Sequence, residues 1–274
     1  MDWTFYKPHF EYEEAYNDLG GPWSGHKYFS YDLIRNIKPG RIVELGTHLG
    51  CSLFSFSQAV KDGCLKTKVD GIDTWQGDKH SGKYGELILS RVNEIKKTYY
   101  PKTDITFIRT TFDKASLKYK RNSIDILHID GLHTYNAVKH DYQNWYEKVK
   151  DVGIILFHDI AVKKWGFGIY KLWEEIKKEH PTIEFEHSYG LGVMFKNRKT
   201  YQEIIKNEKY FTLYYSLLAE HKDLKWESLK DKEVIKWQSN RLKNIESNPL
   251  YTWYKLLKRI TRLSTSIKPI RQGD

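Results

Sequence analysis

The chain has 274 residues, a net charge of +10, and 40% hydrophobic and 29% charged residues. This length and composition support one substantial hydrophobic core plus an appendage. They exclude a membrane-spanning helix, because no apolar run approaches the roughly 18 residues that a span requires. Cys51 and Cys64 are too few and too poorly spaced for a disulfide framework or a metal site. Residues 1–6 do not have the pattern of a secretory signal, so we expect a cytoplasmic protein.

Short apolar strands alternate with helical patterns from residue 26 to residue 198, which is typical of a doubly wound parallel sheet. Only a few residues around Ser188 separate the last two strands, which is too short for a parallel crossover and indicates an antiparallel hairpin. We therefore predict an α/β fold with a seven-stranded, mostly parallel sheet ending in an antiparallel hairpin. Residues 1–25 would form a lid segment, 26–198 the domain, and 199–274 a basic helical appendage. The predicted strands are residues 41–43, 69–73, 104–109, 123–129, 152–157, 182–186 and 191–195.

A glycine turn joins the first strand to a helical pattern. Its spacing is Gly46-x-x-x-Gly50 rather than the Gly-x-Gly-x-x-Gly of dinucleotide sites, and Glu44 precedes it. A carboxylate repels phosphate but suits a cofactor with cationic groups, such as the ammonium and sulfonium of S-adenosylmethionine. A purely structural tight turn is the alternative. The predicted cofactor-binding residues of this segment are Glu44, Gly46, Thr47, Gly50 and Ser52.

The second strand ends in Asp73, at the position where an acid can accept hydrogen bonds from ribose hydroxyls. A turn or helix-cap aspartate is the alternative. Trp75 follows closely and is predicted to pack on the adenine of the cofactor, although a core tryptophan is the competing interpretation. Together these residues extend the predicted cofactor site to the second strand.

Two acid–histidine groups follow the fourth and fifth strands. The carboxyl ends of parallel strands meet at one edge, so Asp130, His133, His158 and Asp159 should converge there. We predict that Asp130, His158 and Asp159 bind a divalent metal such as Mg²⁺. Asp130 is also predicted to contact the cofactor. His133 and Asp130 are the predicted catalytic residues, with His133 as the general base. The alternatives are a helix cap for either aspartate and a structural role for His158.

Three further segments receive weaker predictions. Residues 23–31 lie before the first strand and are predicted to fold over the cofactor, with His26 either touching a ligand or structural. The polar loop 76–82 is predicted to bind the acceptor, or else to be a solvated connection. A stripe at helical spacing predicts one buried helix face. That stripe comprises Tyr135, Val138, Tyr142, Trp145 and Val149.

Several of these stretches, in the same order, resemble the bacterial class I S-adenosylmethionine-dependent methyltransferase domain often called methyltransferase domain 24. The resemblance covers residues 23–195 and implies the methyltransferase fold, that cofactor, and an association with surface-polysaccharide glycosyltransferases. Asp130-x-x-His133 is also similar to the metal-dependent macrolide sugar O-methyltransferases, in which an acidic pair follows strand five. Here His158 replaces the first acid of that pair. The matching stretches are residues 43–48, 73–78, 111–113, 128–135 (His-Ile-Asp-Gly-Leu-His-Thr-Tyr), 156–159 and 190–193.

The end of the chain is basic and amphipathic. Residues 247–273 contain six Lys or Arg residues and no acid, interleaved with apolar side chains. This segment is predicted to contact an anionic inner-membrane surface, a partner glycosyltransferase or a polyanion, with a solvated helix face as the alternative. The sequence leaves open a homo-oligomer.

The residues and the resemblance together predict an O-methyltransferase that acts on a sugar hydroxyl of a surface glycan or its precursor. Two alternatives remain. A nucleic-acid methyltransferase would agree with the positive charge, but residues 129–133 lack the Asn/Asp-Pro-Pro-aromatic motif of the common base-directed enzymes, and no nucleic-acid module is recognisable. A cofactor-binding partner of a glycosyltransferase without turnover is the other.

Overall fold

The structure is a computed structural model that describes residues 3–16, 21–205 and 208–227. Two short 3₁₀ helices, Glu11–Ala15 and Pro22–Gly25, precede the first α-helix. The strands are β1 (Arg41–Leu45), β2 (Lys68–Asp73), β3 (Gly77–Asp78), β4 (Gly82–Lys83), β5 (Ile105–Arg109), β6 (Ile124–Ile129), β7 (Val149–His158), β8 (Thr182–Phe185) and β9 (Leu191–Phe195). The α-helices are α1 (Lys27–Ile37), α2 (Cys51–Asp62), α3 (Glu86–Tyr99), α4 (Phe112–Ser116), α5 (Tyr135–Tyr146), α6 (Ile169–Glu179), α7 (Arg198–Ile204) and α8 (Glu208–Glu227).

Seven of the strands form one sheet in the order β5-β2-β1-β6-β7-β9-β8. Strand β9 is antiparallel to both of its neighbours, whereas the pairs among β5, β2, β1, β6 and β7 are parallel. The predicted seven-stranded sheet with a terminal antiparallel hairpin is confirmed. Strands β3 and β4 form a separate antiparallel ribbon. This ribbon lies within the loop that was predicted to bind the acceptor.

The strand order reverses between β1 and β6, and this position decides where a ligand can bind. From β1 the chain adds β2 and β5 on one side, and from β6 it adds the remaining strands on the other. Helices that leave in opposite directions open a crevice at the carboxyl ends of these two strands. The central strands are buried on both faces, which explains their nearly continuous apolar sequences. The glycine turn after β1 and Asp130 after β6 therefore face the same crevice.

One residue of the predicted helical stripe is misplaced. Tyr135, Val138, Tyr142 and Trp145 do pack from α5 onto the core. Val149, however, is the first residue of β7 and pairs with Ile124 of β6. The helix ends at Tyr146, and β7 begins three residues before the predicted strand. Val149 falls at helical spacing only because the connection between α5 and β7 is short.

A buried hydrogen-bonded group, here called the Asp32 cluster, joins the N-terminal segment, α1 and α8. Asp32 is 1% exposed. Its carboxylate accepts hydrogen bonds from the backbone N–H of Tyr6 (3.1 Å) and from the hydroxyl of Tyr215 (2.6 Å). The indole of Trp3 donates to the same tyrosine oxygen at 3.0 Å. The cluster fastens the N-terminal segment to the domain.

The segment 23–31, which is predicted to fold over the cofactor, is partly core. Phe29 and Tyr31 are buried in α1, so this segment does not form one loose flap, because its apolar side chains continue the helix face. The earlier residues Tyr12 and Trp23 do reach the cavity described below. Helices α7 and α8 follow the sheet, and the basic segment 247–273 lies outside the described residues. Within the described part of the chain, no helix combines the length and hydrophobicity needed to cross a membrane.

Candidate active site

A cavity of about 760 Å³ opens at the carboxyl edge of the sheet, where the strand order reverses. Segments from the N-terminal region, the glycine turn, β2, the β3–β4 ribbon, and the ends of β6 and β7 surround it. The lining residues include Tyr12, Glu13, Trp23, Ser24, Gly46, Thr47, His48, Gly50, Ser52, Asp73, Asp78, Ser81, Tyr84, Thr111, Phe112, Asp130, His133, His158 and Asp159.

The glycine turn brings β1 and β6 into close contact. Gly46 has a φ of +94°, and a Cβ there would lie 2.0 Å from the carbonyl oxygen of Asp130. Any side chain at this position would push the two strand ends apart. Thr47, Gly50 and Ser52 line the cavity, and the buried hydroxyl of Thr47 has no hydrogen-bond partner in the described protein. An unpartnered buried hydroxyl beside a cavity is suited to a polar ligand.

Glu44 does not contact the cavity, which corrects the prediction of a direct cofactor ligand. Its side chain is fully buried and accepts hydrogen bonds from the hydroxyl of Ser52 and from Nδ1 of His128 at 2.9 Å. His128 lies directly beside Glu44 in the parallel pairing of β1 with β6. Burial raises the pKa of Glu44, and the hydrogen bond from His128 offsets part of this rise. Glu44 therefore holds Ser52 and the glycine turn in position from the buried side of the turn.

Asp73 lies on the cavity wall and is held rigidly. Its two carboxylate oxygens accept backbone hydrogen bonds, from Trp75 N at 2.7 Å and from His48 N at 2.9 Å. The hydroxyl of Tyr84 also approaches both oxygens, at 3.4 and 3.2 Å. The carboxylate is thus fixed between the glycine turn and the β3–β4 ribbon, where the sequence predicts the ribose site.

Trp75 is a core residue, contrary to the prediction that it packs on adenine. Its side chain has no exposed surface and packs edge-on against Phe107, with ring centroids 5.8 Å apart. The indole N–H donates to the carbonyl of His48 at 3.1 Å. Its backbone φ of +51° turns the side chain away from the cavity and beneath the turn. The residue supports the turn and does not line the cavity.

Asp130, His133 and Asp159 form the carboxylate–imidazole cluster of the cavity. Nε2 of His133 lies 2.9 Å from Oδ2 of Asp159 and 3.4 Å from Oδ1 of Asp130. One potential ligand atom from each of the three side chains lies within 4.8 Å of the others. The predicted convergence of the two strand ends is therefore found. The third member of the potential metal-binding set is His133, whereas the sequence predicts His158.

His158 lies behind the cluster. Its Nδ1 is 3.4 Å from Oδ1 of both Asp130 and Asp159, and its ring packs edge-on against Trp23. Residue 158 is the last residue of β7, and its side chain is 3% exposed. His158 therefore stabilises the carboxylates of Asp130 and Asp159 and is not part of the potential metal-binding set.

The cluster carries charge in the folded protein. Burial lowers the pKa of His133, but hydrogen bonds to Asp130 and Asp159 outweigh this effect and raise it to about 10. Burial raises the pKa of Asp130, and the charge of His158 with hydrogen bonds from both histidines holds it well below its ordinary value. At neutral pH His133 is protonated when only the two aspartates bind it, so it cannot accept a proton in this form.

Residues 43–160 match a family described as a methyltransferase domain. This part of the chain is thus similar to a methyltransferase domain. The strand order and the reversed β9 give a Rossmann-like α/β fold. The chain is also 41% identical over 178 residues to "Uncharacterized protein y4gI" of Sinorhizobium fredii, an alignment that covers 65% of this chain and 19% of that protein. The chain thus corresponds to about a fifth of the length of this relative.

The chain is also similar to several solved structures, with TM-scores just below 0.5. They include SAH-bound Podospora anserina methyltransferase PaMTH1 (15% identity, TM-score 0.48, 62% of this chain and 77% of that one). The Bacillus cereus O-methyltransferase in complex with SAH is similar at 13% identity and a TM-score of 0.48, covering 67% of this chain and 85% of that one. Streptomyces achromogenes TomG, an O-methyltransferase of tomaymycin synthesis in complex with SAM, gives 14% identity, a TM-score of 0.48, and coverage of 69% and 90%.

The candidate active site also contains contacts that the sequence does not predict. Tyr84 reaches Asp73 from the β3–β4 ribbon, and Phe167 stacks on His133 with ring centroids 4.4 Å apart. The backbone N–H of Gly168 donates to the carbonyl of His133 at 2.7 Å, which fixes that residue further. No local motif marks these contacts, because they depend on how two loops fold back over the sheet.

The outcomes for loop 76–82 and His26 differ. Gly77, Asp78 and Ser81 of the loop line the cavity, in agreement with its predicted location. His26 is completely buried, and its Nε2 lies 3.1 Å from the carbonyl oxygen of Ser188. Burial lowers the pKa of His26 well below its ordinary value, so it is neutral. For His26 the structural alternative is therefore the better interpretation.

Proposed function

We propose that this chain is an S-adenosylmethionine-dependent O-methyltransferase that acts on a sugar hydroxyl of a surface glycan or its precursor. The observation that carries the proposal is the charge of the cavity. The cavity is lined by Asp73, Asp78, Asp130 and Asp159, which outnumber the protonated His133, and no Lys or Arg lines it among the described residues. In a chain with a net charge of +10, such a wall selects for a cationic ligand and against a polyphosphate or nucleic acid.

The donor would lie along the glycine turn and β2. Its ribose hydroxyls would bind the carboxylate of Asp73, which is already oriented by two backbone N–H groups. The unpartnered hydroxyl of Thr47 offers a further contact. The sulfonium and ammonium groups are cationic, so the acidic wall attracts them. This arrangement supports S-adenosylmethionine as the donor without assigning Glu44 or Trp75 to it.

The acceptor hydroxyl would bind at the carboxylate–imidazole cluster. Carboxylate and imidazole groups are suitable ligands for a divalent cation, and the spacing of Asp130, His133 and Asp159 fits one. A bound cation such as Mg²⁺ would lower the pKa of a coordinated hydroxyl. The side chains of the cluster orient the acceptor, and Phe167 keeps the ring of His133 in place.

The role of His133 depends on whether its proton leaves. The proton that His133 holds between two carboxylates occupies the place that a cation would take, so a cation would convert His133 into a neutral ligand. Without a cation, His133 must first lose a proton whose pKa is about 10 before it can act as the predicted general base. We therefore propose the ligand role, with the base role as the alternative that a chelator experiment separates.

The sugar acceptor is supported by the sequence resemblance and by hydrogen-bonding side chains in the cavity wall. Ser81, Asp78 and the cluster itself provide hydrogen-bonding groups of the kind that recognise several hydroxyls of one ligand. The resemblance also supports a glycosyltransferase partner. Within the described part of the chain no Lys or Arg lines the cavity, which favours a neutral acceptor over a nucleic acid.

The test combines donor binding with product analysis. Calorimetry with S-adenosylmethionine, its demethylated product and NAD should show binding of the first two only. The protein is then incubated with labelled donor and a panel of methyl glycosides, oligosaccharides and nucleotide sugars, with tRNA and duplex DNA as controls. Mass spectrometry should find one added methyl group on a sugar. Binding of NAD alone would refute the donor assignment, and methylation of the nucleic-acid controls only would refute the acceptor assignment.

A further inference from the structure

Beside the active site lies a second feature that the proposed chemistry does not use. Trp165 and Tyr189 are among the large apolar side chains exposed to solvent, at 56% and 43%. Their rings are neighbours, with centroids 6.1 Å apart at 60°. We call this pair the aromatic platform. An exposed pair of large aromatic side chains is costly to keep in water and commonly marks a binding surface.

The aromatic platform is continuous with the carboxylate–imidazole cluster. Trp165 contacts Phe167 with ring centroids 6.0 Å apart, and Phe167 stacks on His133. His80 of loop 76–82 packs on the same phenylalanine, with ring centroids 4.8 Å apart. The platform is thus two ring contacts from the imidazole at the proposed site of methyl transfer. A ligand extending from the cluster along these rings would reach it.

The two aromatic residues are held in place before any ligand binds. Both have positive φ, +58° at Trp165 and +68° at Tyr189, which side chains other than glycine rarely adopt. The loops that carry them are joined by a hydrogen bond from Ala161 N to the carbonyl of Tyr189 at 2.9 Å. A neighbouring turn is closed by Phe167 N and the carbonyl of Lys164 at 3.1 Å. Such fixed rings lose little conformational entropy on binding.

We propose that the aromatic platform binds a sugar unit adjacent to the one that is methylated, so that the preferred acceptor is an oligosaccharide rather than a single sugar. The inference rests on the proposed function. A pyranose ring presents an apolar C–H face to an aromatic ring and keeps its hydroxyls at the edge. Two tilted rings at an open cavity edge suit that shape better than a flat aromatic ligand, which would need a parallel slot. Lys164, whose Nζ lies 4.1 Å from the Trp165 centroid, adds a hydrogen-bond donor beside it.

The experiment uses the full chain and its Trp165→Ala and Tyr189→Ala variants. Val152→Ala is the matched control, because Val152 is also an exposed apolar residue (59%) but lies in the first half of β7, away from the carboxyl edge. Acceptors are methyl glycosides of glucose, galactose, mannose and rhamnose and the corresponding tetrasaccharides. Saturation-transfer NMR on protein loaded with the demethylated cofactor measures binding, and methyl transfer is measured separately.

The wild-type protein and the Val152→Ala variant should bind at least one tetrasaccharide about fivefold or more tightly than its monosaccharide, and each platform variant should lose this preference. Turnover of a monosaccharide at saturation should stay unchanged in all variants. Equal binding of tetrasaccharides by the wild type and the platform variants would refute the proposed sugar-binding role of the aromatic platform. So would the absence of tetrasaccharide binding to the wild type. Tetrasaccharide binding that depends on the platform without any methyl transfer would instead refute the proposed function and leave the platform in place.

Discussion

Two groups centred on aspartate, Asp130 half-buried and Asp32 buried, differ in what surrounds the carboxylate. In the carboxylate–imidazole cluster, histidines face Asp130, and its pKa lies well below the ordinary value. In the Asp32 cluster the partners are a tyrosine hydroxyl and a backbone N–H. Burial there raises the pKa of Asp32 to about 8, although the hydrogen bond from Tyr215 opposes it. The first group retains charge, whereas the second is neutral at pH 7 and joins the N-terminal segment to two helices.

The largest expected effect is on turnover. Asp159→Asn and His133→Ala each remove one member of the carboxylate–imidazole cluster and should lower methyl transfer by about a hundredfold or more, with donor affinity nearly unchanged. His140→Ala is the histidine control, because His140 pairs with Asp113 on the exposed side of α5. Excess chelator should lower wild-type activity to a similar extent. Full activity with chelator would show that no cation is needed. Full activity of Asp159→Asn would show that the reaction does not take place at the cluster.

The second effect is on stability and concerns the Asp32 cluster. The folded protein keeps the proton of Asp32 up to a pKa of about 8, whereas the ordinary value is 3.8. Between these values the folded state binds more protons than the unfolded state, so this contribution to stability falls as pH rises through that range. Relative to Asp32→Asn, the wild-type free energy of unfolding should fall by on the order of 2 kcal/mol between pH 5 and pH 8.

Urea denaturation of both proteins at pH 5, 6, 7 and 8 measures this difference. Asp32→Asn should retain methyl transfer, because the cluster does not line the cavity. Tyr215→Phe supplies a second variant that removes the hydroxyl donor while keeping the acid. A wild-type stability that follows Asp32→Asn at every pH would contradict the neutral state of Asp32.

The smallest effect concerns the carboxylate of Asp73, which is held by two backbone N–H groups rather than by histidine side chains. Asp73→Ala should weaken binding of the donor or its demethylated product at least tenfold, about 1.4 kcal/mol, since the ribose hydroxyls lose their acceptor. Tyr84→Phe keeps the carboxylate and removes only the neighbouring hydroxyl, so it should change affinity by less than about threefold. Calorimetry measures both, and an unchanged affinity in Asp73→Ala would remove this residue from the donor site.

The sequence predicts the parts of the site that depend on strand ends and fails where side-chain direction decides. Asp130, His133 and Asp159 could be brought together in advance, because the carboxyl ends of adjacent parallel strands share one edge. Glu44 could not be placed, since its partner His128 lies 84 residues away and becomes its neighbour only through the β1–β6 register. Trp75 was misplaced because its positive φ reverses the direction that an extended strand would give.

The reversed strand β9 places the proposed acceptor and donor sites on different halves of the sheet. Because β9 runs opposite to β7, it begins at the carboxyl edge, and the loop ahead of it carries Tyr189 to the margin of the cavity. The glycine turn and Asp73 belong to β1 and β2, on the other half of the sheet. If the proposed function is correct, substitutions in residues 161–168 and 187–190 would alter which acceptor is chosen without disturbing the proposed donor site. Evolution, or an engineer, could then change the methylated sugar while the methyl donor stays the same.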